Sequence, residues 1–175
     1  INFMNEWQVL SINLEDGSWR SYPAKVTWGH LAGRAFTSSA VSRFAPPTCD
    51  PLGEENILAI STGLLANSGA SSTYRVSMGA KSPLTRGIKE SNSGGTAGYA
   101  LTTLAIRGLI LEKVAREWSI LVISQGQITL KPAAELVGLN TYQVTKKLRE
   151  TYGRQSAVLS IGPAGENLLP TACIG

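Results

Sequence analysis

Three glycine-rich segments, Thr62 to Thr73, Arg86 to Gly98 and Gly162 to Asn167, hold the residues best suited to ligand chemistry. Each follows an apolar run that reads as a strand. Small residues leave backbone N–H groups free to converge on a phosphate or pyrophosphate. The same glycines also serve plain turns, where they supply positive φ. Arg75 lies on a strand just after the first segment, placed to clamp a phosphate or carboxylate in a bidentate fork, or to form a surface ion pair. Asn92 sits between Ser91 and Ser93 and before Gly94 and Gly95. Its amide oxygen suits a hard cation such as Mg²⁺, or the closing of an Asx turn.

Nothing else in the chain competes as a catalytic centre. The single histidine, His30, has no partner pattern, and no phosphate-binding loop, dinucleotide fingerprint or nucleophile elbow is present. No catalytic residue is nominated. Cys49 and Cys173 are too few and too far apart for a zinc or iron–sulfur site, and read as two buried reduced thiols, with a single disulfide as the alternative. The net charge of +4 is mild and its basic residues are scattered, which argues against a nucleic-acid partner. No apolar stretch reaches the ~20 residues that a membrane span needs, and no charged-then-apolar leader opens the sequence. A cytoplasmic protein is expected. The missing initiator methionine and the Ile174-Gly175 ending suggest a fragment.

The elements that must position these residues are mostly strands. Trp7 to Leu14 and Trp19 to Tyr22 form a hairpin around Glu15-Asp16-Gly17-Ser18, closed by Pro23. Leu31 to Phe44 has helical spacing and stops at Pro46-Pro47. Ile57 to Thr62 is a buried strand. Tyr74 to Ala80 alternates, with Tyr74, Val76 and Met78 on one face and Arg75, Ser77 and Gly79 on the other. Ser91 to Gly98 reads as loop, Leu101 to Ile106 as a short helix, and Leu109 to Glu112 as strand. Trp118 to Ser124 and Ile128 to Lys131 make a second hairpin. Asn140-Thr141-Tyr142-Gln143 has capping-box form and opens a helix over 141–152 that Gly153 ends. Ala157 to Ile161 and Leu168 to Ile174 read as strands. The expected class is α+β: twisted, mainly antiparallel sheets with a few short helices, in one domain over residues 1–175.

Taken in order, LAGR (31–34), CDPLGEEN (49–56), STGLLANSGASSTYR (61–75), AKSPLTRGIKESNSGG (80–95) and IGPAGENL (161–168) resemble the amino-terminal domain of the tungsten-containing aldehyde:ferredoxin oxidoreductases. The similarity runs through nearly the whole chain, and SNSGG with IGPAGEN is its most specific part. The resemblance implies a sheet domain on which a tungsten, or molybdenum, bis-pyranopterin lies. Magnesium would bridge the phosphates of the two pterins. Arg75 matches the arginine that contacts this cofactor, and Asn92 the asparagine linked to the magnesium–phosphate unit. Ser93, Gly94 and Gly95 would bring backbone close to it.

The chain departs from that pattern at several places. Ile106-Arg107-Gly108 replaces the usual Gly-Tyr-Asp turn, Ala32 replaces a common glycine, and Arg86 and Lys89 replace small residues near SNSGG. The family's four-iron–four-sulfur cluster and substrate cavity belong to later domains that are not in this sequence. The resemblance therefore implies partners in the remaining domains of a parent enzyme and in a ferredoxin-like electron carrier, with a homo-oligomer also compatible. The isolated chain is expected to be inactive. The alternative is a non-catalytic scaffold subunit that keeps the fold. Arg75, with Arg86 and Lys89 as weaker candidates, should make the binding face electropositive.

Overall fold

The computed structural model describes residues 6–175, so the first part of the segment scanned for a leader lies outside the described residues. Strands β1 (Gln8–Asn13) and β2 (Trp19–Pro23) form the expected hairpin. A short helix α1 (Ala24–Trp28) follows, which the sequence reading passed over. Helix α2 (Gly33–Phe44), strand β3 (Ile57–Thr62) and strand β4 (Val76–Lys81) come next. Strand β5 (Ile88–Ser93), helix α3 (Ala97–Thr103) and strand β6 (Ile106–Glu112) complete the main body. The rest of the chain carries strands β7 (Ser119–Ser124) and β8 (Gln127–Pro132), helix α4 (Thr141–Tyr152) and one turn of helix α5 (Pro163–Glu166).

Six strands make one sheet in the order β2-β1-β6-β3-β4-β5, while among the described residues β7 and β8 pair only with each other. Every neighbouring pair is antiparallel except β1 with β6, which is parallel. The α+β class with mainly antiparallel sheet therefore stands.

Helix α2 lies across one face of the sheet, where Phe36, Ala40 and Val41 pack on Val9, Ala59 and Ile110. Two glycines let it approach so closely. A Cβ on Gly108 would sit 2.5 Å from the Phe36 ring, and one on Gly79 would sit 2.8 Å from Thr37. The opposite face gathers Leu10, Ile12, Ile60, Val76, Met78 and Leu109 beneath Leu101 of α3. Alternation along each strand sends its side chains to these two clusters in turn.

Several local expectations change. Ser91 to Gly98 is not one loop: Ser91, Asn92 and Ser93 finish β5, paired with Met78, Ser77 and Val76, and Ala97 already begins α3. β5 is an edge strand with exposed side chains, so it carries no apolar alternation to read. Tyr74 and Arg75 precede β4 rather than opening it. The 101–106 helix sits four residues earlier in the chain and stops at Thr103, after which Ala105 turns at φ 55°. Ala157 to Ile161 and Leu168 to Ile174 form no strands. Only Ile161 and Ile174 make an isolated antiparallel bridge, because neither segment has a longer ladder partner among the described residues. Gly162 to Asn167 contains the α5 turn instead of open loop.

Candidate functional site

The corner where β4 and β5 end nearest the glycine-rich loops gathers the polar groups that the sequence singled out. Register places Ser77 directly opposite Asn92, and Gly79 opposite Glu90. All four residues face the side that α2 covers, since Asn92 Nδ2 donates to Ser77 Oγ at 3.1 Å, Gly79 lies against Thr37 and Glu90 bonds Arg34. The Arg75 guanidinium folds over the same corner. Its Nε donates to the Asn92 amide oxygen and its Nη2 to the Asn92 backbone carbonyl at 3.3 Å. The two residues proposed for one site are thus in direct contact, although 17 positions separate them in sequence.

Gly94 and Gly95 close the corner. A Cβ on Gly94 would lie 3.6 Å from Arg75 Nη1, and Gly95 takes φ +106°, a conformation that side chains rarely adopt. Ser93 pairs with Val76 in the ladder and turns its hydroxyl onto the Gly94 carbonyl. Arg75, Asn92, Gly94 and Gly95 are all exposed, so a ligand can reach them.

Helix α2 begins beside this corner. Its N-cap is Ala32, with no side-chain cap, and Gly33 enters at φ +53°. Ser61, fully buried on β3, accepts the Gly33 N–H at 3.1 Å and donates to the Arg107 carbonyl at 2.8 Å. This one hydroxyl ties α2, β3 and β6 together, and it satisfies one of the donors that a helix N-terminus leaves open. Arg34, in the first turn, bonds Glu90 at 3.0 Å, which fixes β5 to the helix. The Arg34 side chain is 75% exposed, whereas that of Glu90 is 10% exposed and its Oε1 has no hydrogen-bond partner among the described residues.

Sequence reasoning did not single out Ser61, Arg34 or Glu90. Ser77 appeared only as a member of the Arg75 face. The signal for Ser61 lay in a polar residue within an otherwise apolar strand. Arg34 and Glu90 lie 56 positions apart and carried no signal at all.

Two of the expected basic residues do not belong to the corner. Lys89 stands opposite Ala80, one position out of phase with Glu90 and Asn92, and so faces the other side of the sheet. Arg86 sits in the β4–β5 turn at φ 57°, at the far end of β5. Six strand residues span about 20 Å. Besides Arg75, Arg34 brings a cation to this corner, whereas Lys81, on the same face, is bonded to the Pro47 and Cys49 carbonyls. Arg107 is the extra residue of a bulge where Gln8 pairs with Ile106 and Val9 with Gly108. Its guanidinium stacks 5.2 Å from the Trp7 ring, and partial burial lowers its pKa from the ordinary arginine value.

Among the described residues no cluster of three or more His, Cys, Asp or Glu side chains is arranged to hold a metal ion. Both cysteines are free thiols, but only Cys49 is buried as expected; Cys173 is exposed. No helix among the described residues is long and apolar enough to cross a membrane. The corner offers a directed cation, an amide and small-residue backbone, with the Glu90 carboxylate and the Ser77 and Ser93 hydroxyls beside them.

The family model described as "Aldehyde ferredoxin oxidoreductase, N-terminal domain" matches residues 9–175. The tungsten-containing aldehyde ferredoxin oxidoreductase of Pyrococcus furiosus is 30% identical over 173 residues, which cover 97% of this chain and 29% of the relative. The enzyme of the same name from Thermococcus kodakarensis is 28% identical over 173 residues, with the same coverage. The chain thus spans less than a third of the length of the curated relatives it matches. Among solved structures, the active-site complex BamBC of benzoyl-coenzyme A reductase, in complex with 1,5-dienoyl-CoA, superposes with a TM-score of 0.91 at 25% identity. That match covers 98% of this chain and 27% of the other.

Proposed function

Because the chain belongs to the aldehyde ferredoxin oxidoreductase family, as its N-terminal domain, we propose that the Arg75–Asn92 corner holds the phosphates of a tungsten- or molybdenum-pterin cofactor. The observation that carries this reading is the placement of the Arg75 guanidinium on Asn92, beside Gly94 and Gly95, on an exposed rim.

The residues present fit such a group. A phosphate needs directed donors and room, and Arg75 supplies the first while the absent Cβ of Gly94 leaves the second. An amide oxygen has two lone pairs, so Asn92 can serve Arg75 with one and a bridging Mg²⁺ with the other. Ser77 holds the amide nitrogen, which leaves the oxygen turned toward Arg75. Ser93, Gly94 and Gly95 bring backbone up to the phosphates. When bound, the metallopterin supplies the redox chemistry at an aldehyde or oxo group, and the protein binds and orients it.

In this reading residues 1–175 are one cofactor-binding domain of a longer cytoplasmic enzyme. The parent's remaining domains would carry the four-iron–four-sulfur cluster and pass electrons to a ferredoxin-like acceptor. Tungsten enters here from the names of the relatives.

The test is metal analysis of the full-length parent enzyme and two variants. Arg75→Ala removes charge-assisted hydrogen bonds of roughly 1.5–3 kcal/mol, which is about ten- to a hundredfold in cofactor retention. Asn92→Ala should lower magnesium and tungsten (or molybdenum) content together, since the phosphates lose their bridging ion. Full metal occupancy in both variants would overturn the assignment.

A further inference from the structure

The face of the six-stranded sheet away from α2 is covered incompletely. Between it and the β7–β8 hairpin runs a groove of about 450 Å³. Leu58, Ile60 and Leu109 of the sheet line one wall, and Trp118, Leu121 and Ile123 line the other. That volume is more than ten times the roughly 30 Å³ share of one water, and its lining is apolar. Trp118 remains 48% exposed and Ile161 37% exposed. Exposed apolar surface of this kind marks an interaction site.

We propose that this groove seats polypeptide from the remaining domains of the parent enzyme, entering as an extended, apolar segment. The proposal rests on the reading of this chain as one domain of a longer enzyme. Three observations favour that occupant. Among the described residues β7 and β8 form a sheet of only two strands, so both outer edges leave backbone donors and acceptors open for another strand. At the rim Ser160 and Gly175 already exchange two backbone hydrogen bonds, at 2.8 and 2.9 Å, and Ile161 bridges Ile174. The Ser160 hydroxyl, which also lines the groove, is buried without a hydrogen-bond partner among the described residues. An added backbone would supply one. The relatives have the necessary length, because this chain spans 29% of the Pyrococcus furiosus enzyme.

Two rival occupants fit less well. A second copy related by a two-fold axis would place groove against groove, and two concavities do not fill each other. A small ligand is usually fixed by a few convergent polar groups, and this lining is dominated by aliphatic and aromatic side chains.

The experiment places a photo-crosslinking benzoylphenylalanine at position 118, and separately at position 121, in the full-length parent enzyme. A third variant carries it at Tyr142, which is 86% exposed on α4 and serves as control. Irradiation followed by peptide mass spectrometry should join positions 118 and 121 to a segment beyond Gly175 of the same chain, and position 142 to no such segment. Crosslinks between two copies, or none at either groove position in protein whose melting matches the parent, would overturn the proposal. This readout does not depend on metal content, so it fails or succeeds separately from the cofactor assignment.

Discussion

The two faces of the central sheet are packed in opposite ways. On one, α2 lies so close that Gly79 and Gly108 have no room for a methyl group, and Phe36 is fully buried. On the other, the hairpin touches the sheet through Leu121, Ile123 and Ile128 and leaves a groove of about 450 Å³ open. The candidate binding corner belongs to the close-packed face. Arg34, Ser61 and Ser77 all connect it to α2 or to the strands beneath. A site that orients a large ligand needs such rigid support, since loosely held donors lose their aim. The open face has apolar area to offer and few polar groups.

The largest test of this contrast is Phe36→Ala. Removing a fully buried ring should cost about 3–5 kcal/mol in urea denaturation of the 175-residue chain. Leu121→Ala, on the groove wall, removes an isopropyl end that is only partly buried and should cost about 1 kcal/mol. Equal losses would erase the distinction between the faces. In the full-length enzyme a filled groove would raise the cost of Leu121→Ala and leave that of Phe36→Ala unchanged.

The two long helices sharpen the comparison. α2 has no side-chain cap and is held by its packing, whereas α4 has a complete capping box at Asn140 and Gln143 and buries only Val144. Asn140→Ala should therefore cost about 1 kcal/mol, concentrated in α4. Amide exchange there should quicken by about fivefold while α2 is unaffected. Uniform acceleration in both helices would mean that the two faces unfold as one unit.

The smallest effect is expected at Asp16, in the β1–β2 turn and remote from both faces. Hydrogen bonds from Ser18 lower its carboxyl pKa below the ordinary value. A carboxylate depressed in the folded state adds stability above its unfolded pKa, and that contribution disappears as pH falls through the folded one. Asp16→Asn should lower the melting temperature slightly at neutral pH and not at all well below the carboxylate range. The same shift at both pH values would point to another cause.

Much of the site was legible before the fold. Alternation put Arg75, Ser77 and Gly79 on one face, and the register of β4 with β5 places Asn92 on that face too. The α4 boundaries, 141 to 152, followed from its capping box and Gly153, since both are local signals. The edge strand β5 was not legible, because its residues KESNS carry no apolar period and pairing with β4 alone makes them a strand. Arg86 and Lys89 were credited to the site on closeness in sequence. Strand phase and a turn at the far end remove them from it.

By itself the sequence determined which segments are helical or extended wherever caps, prolines and apolar periods act within a few residues. It also carried the ordered motifs by which the family is known. Only the tertiary structure decided which segments meet. The Arg34–Glu90 pair, the Ser61 node and the parallel pairing of β1 with β6 join residues between 28 and about 100 positions apart, where no local preference operates. The groove, too, exists only in three dimensions. It is the space left over where Leu121, Ile123 and Ile128 of the hairpin pack on the sheet without covering all of its apolar face.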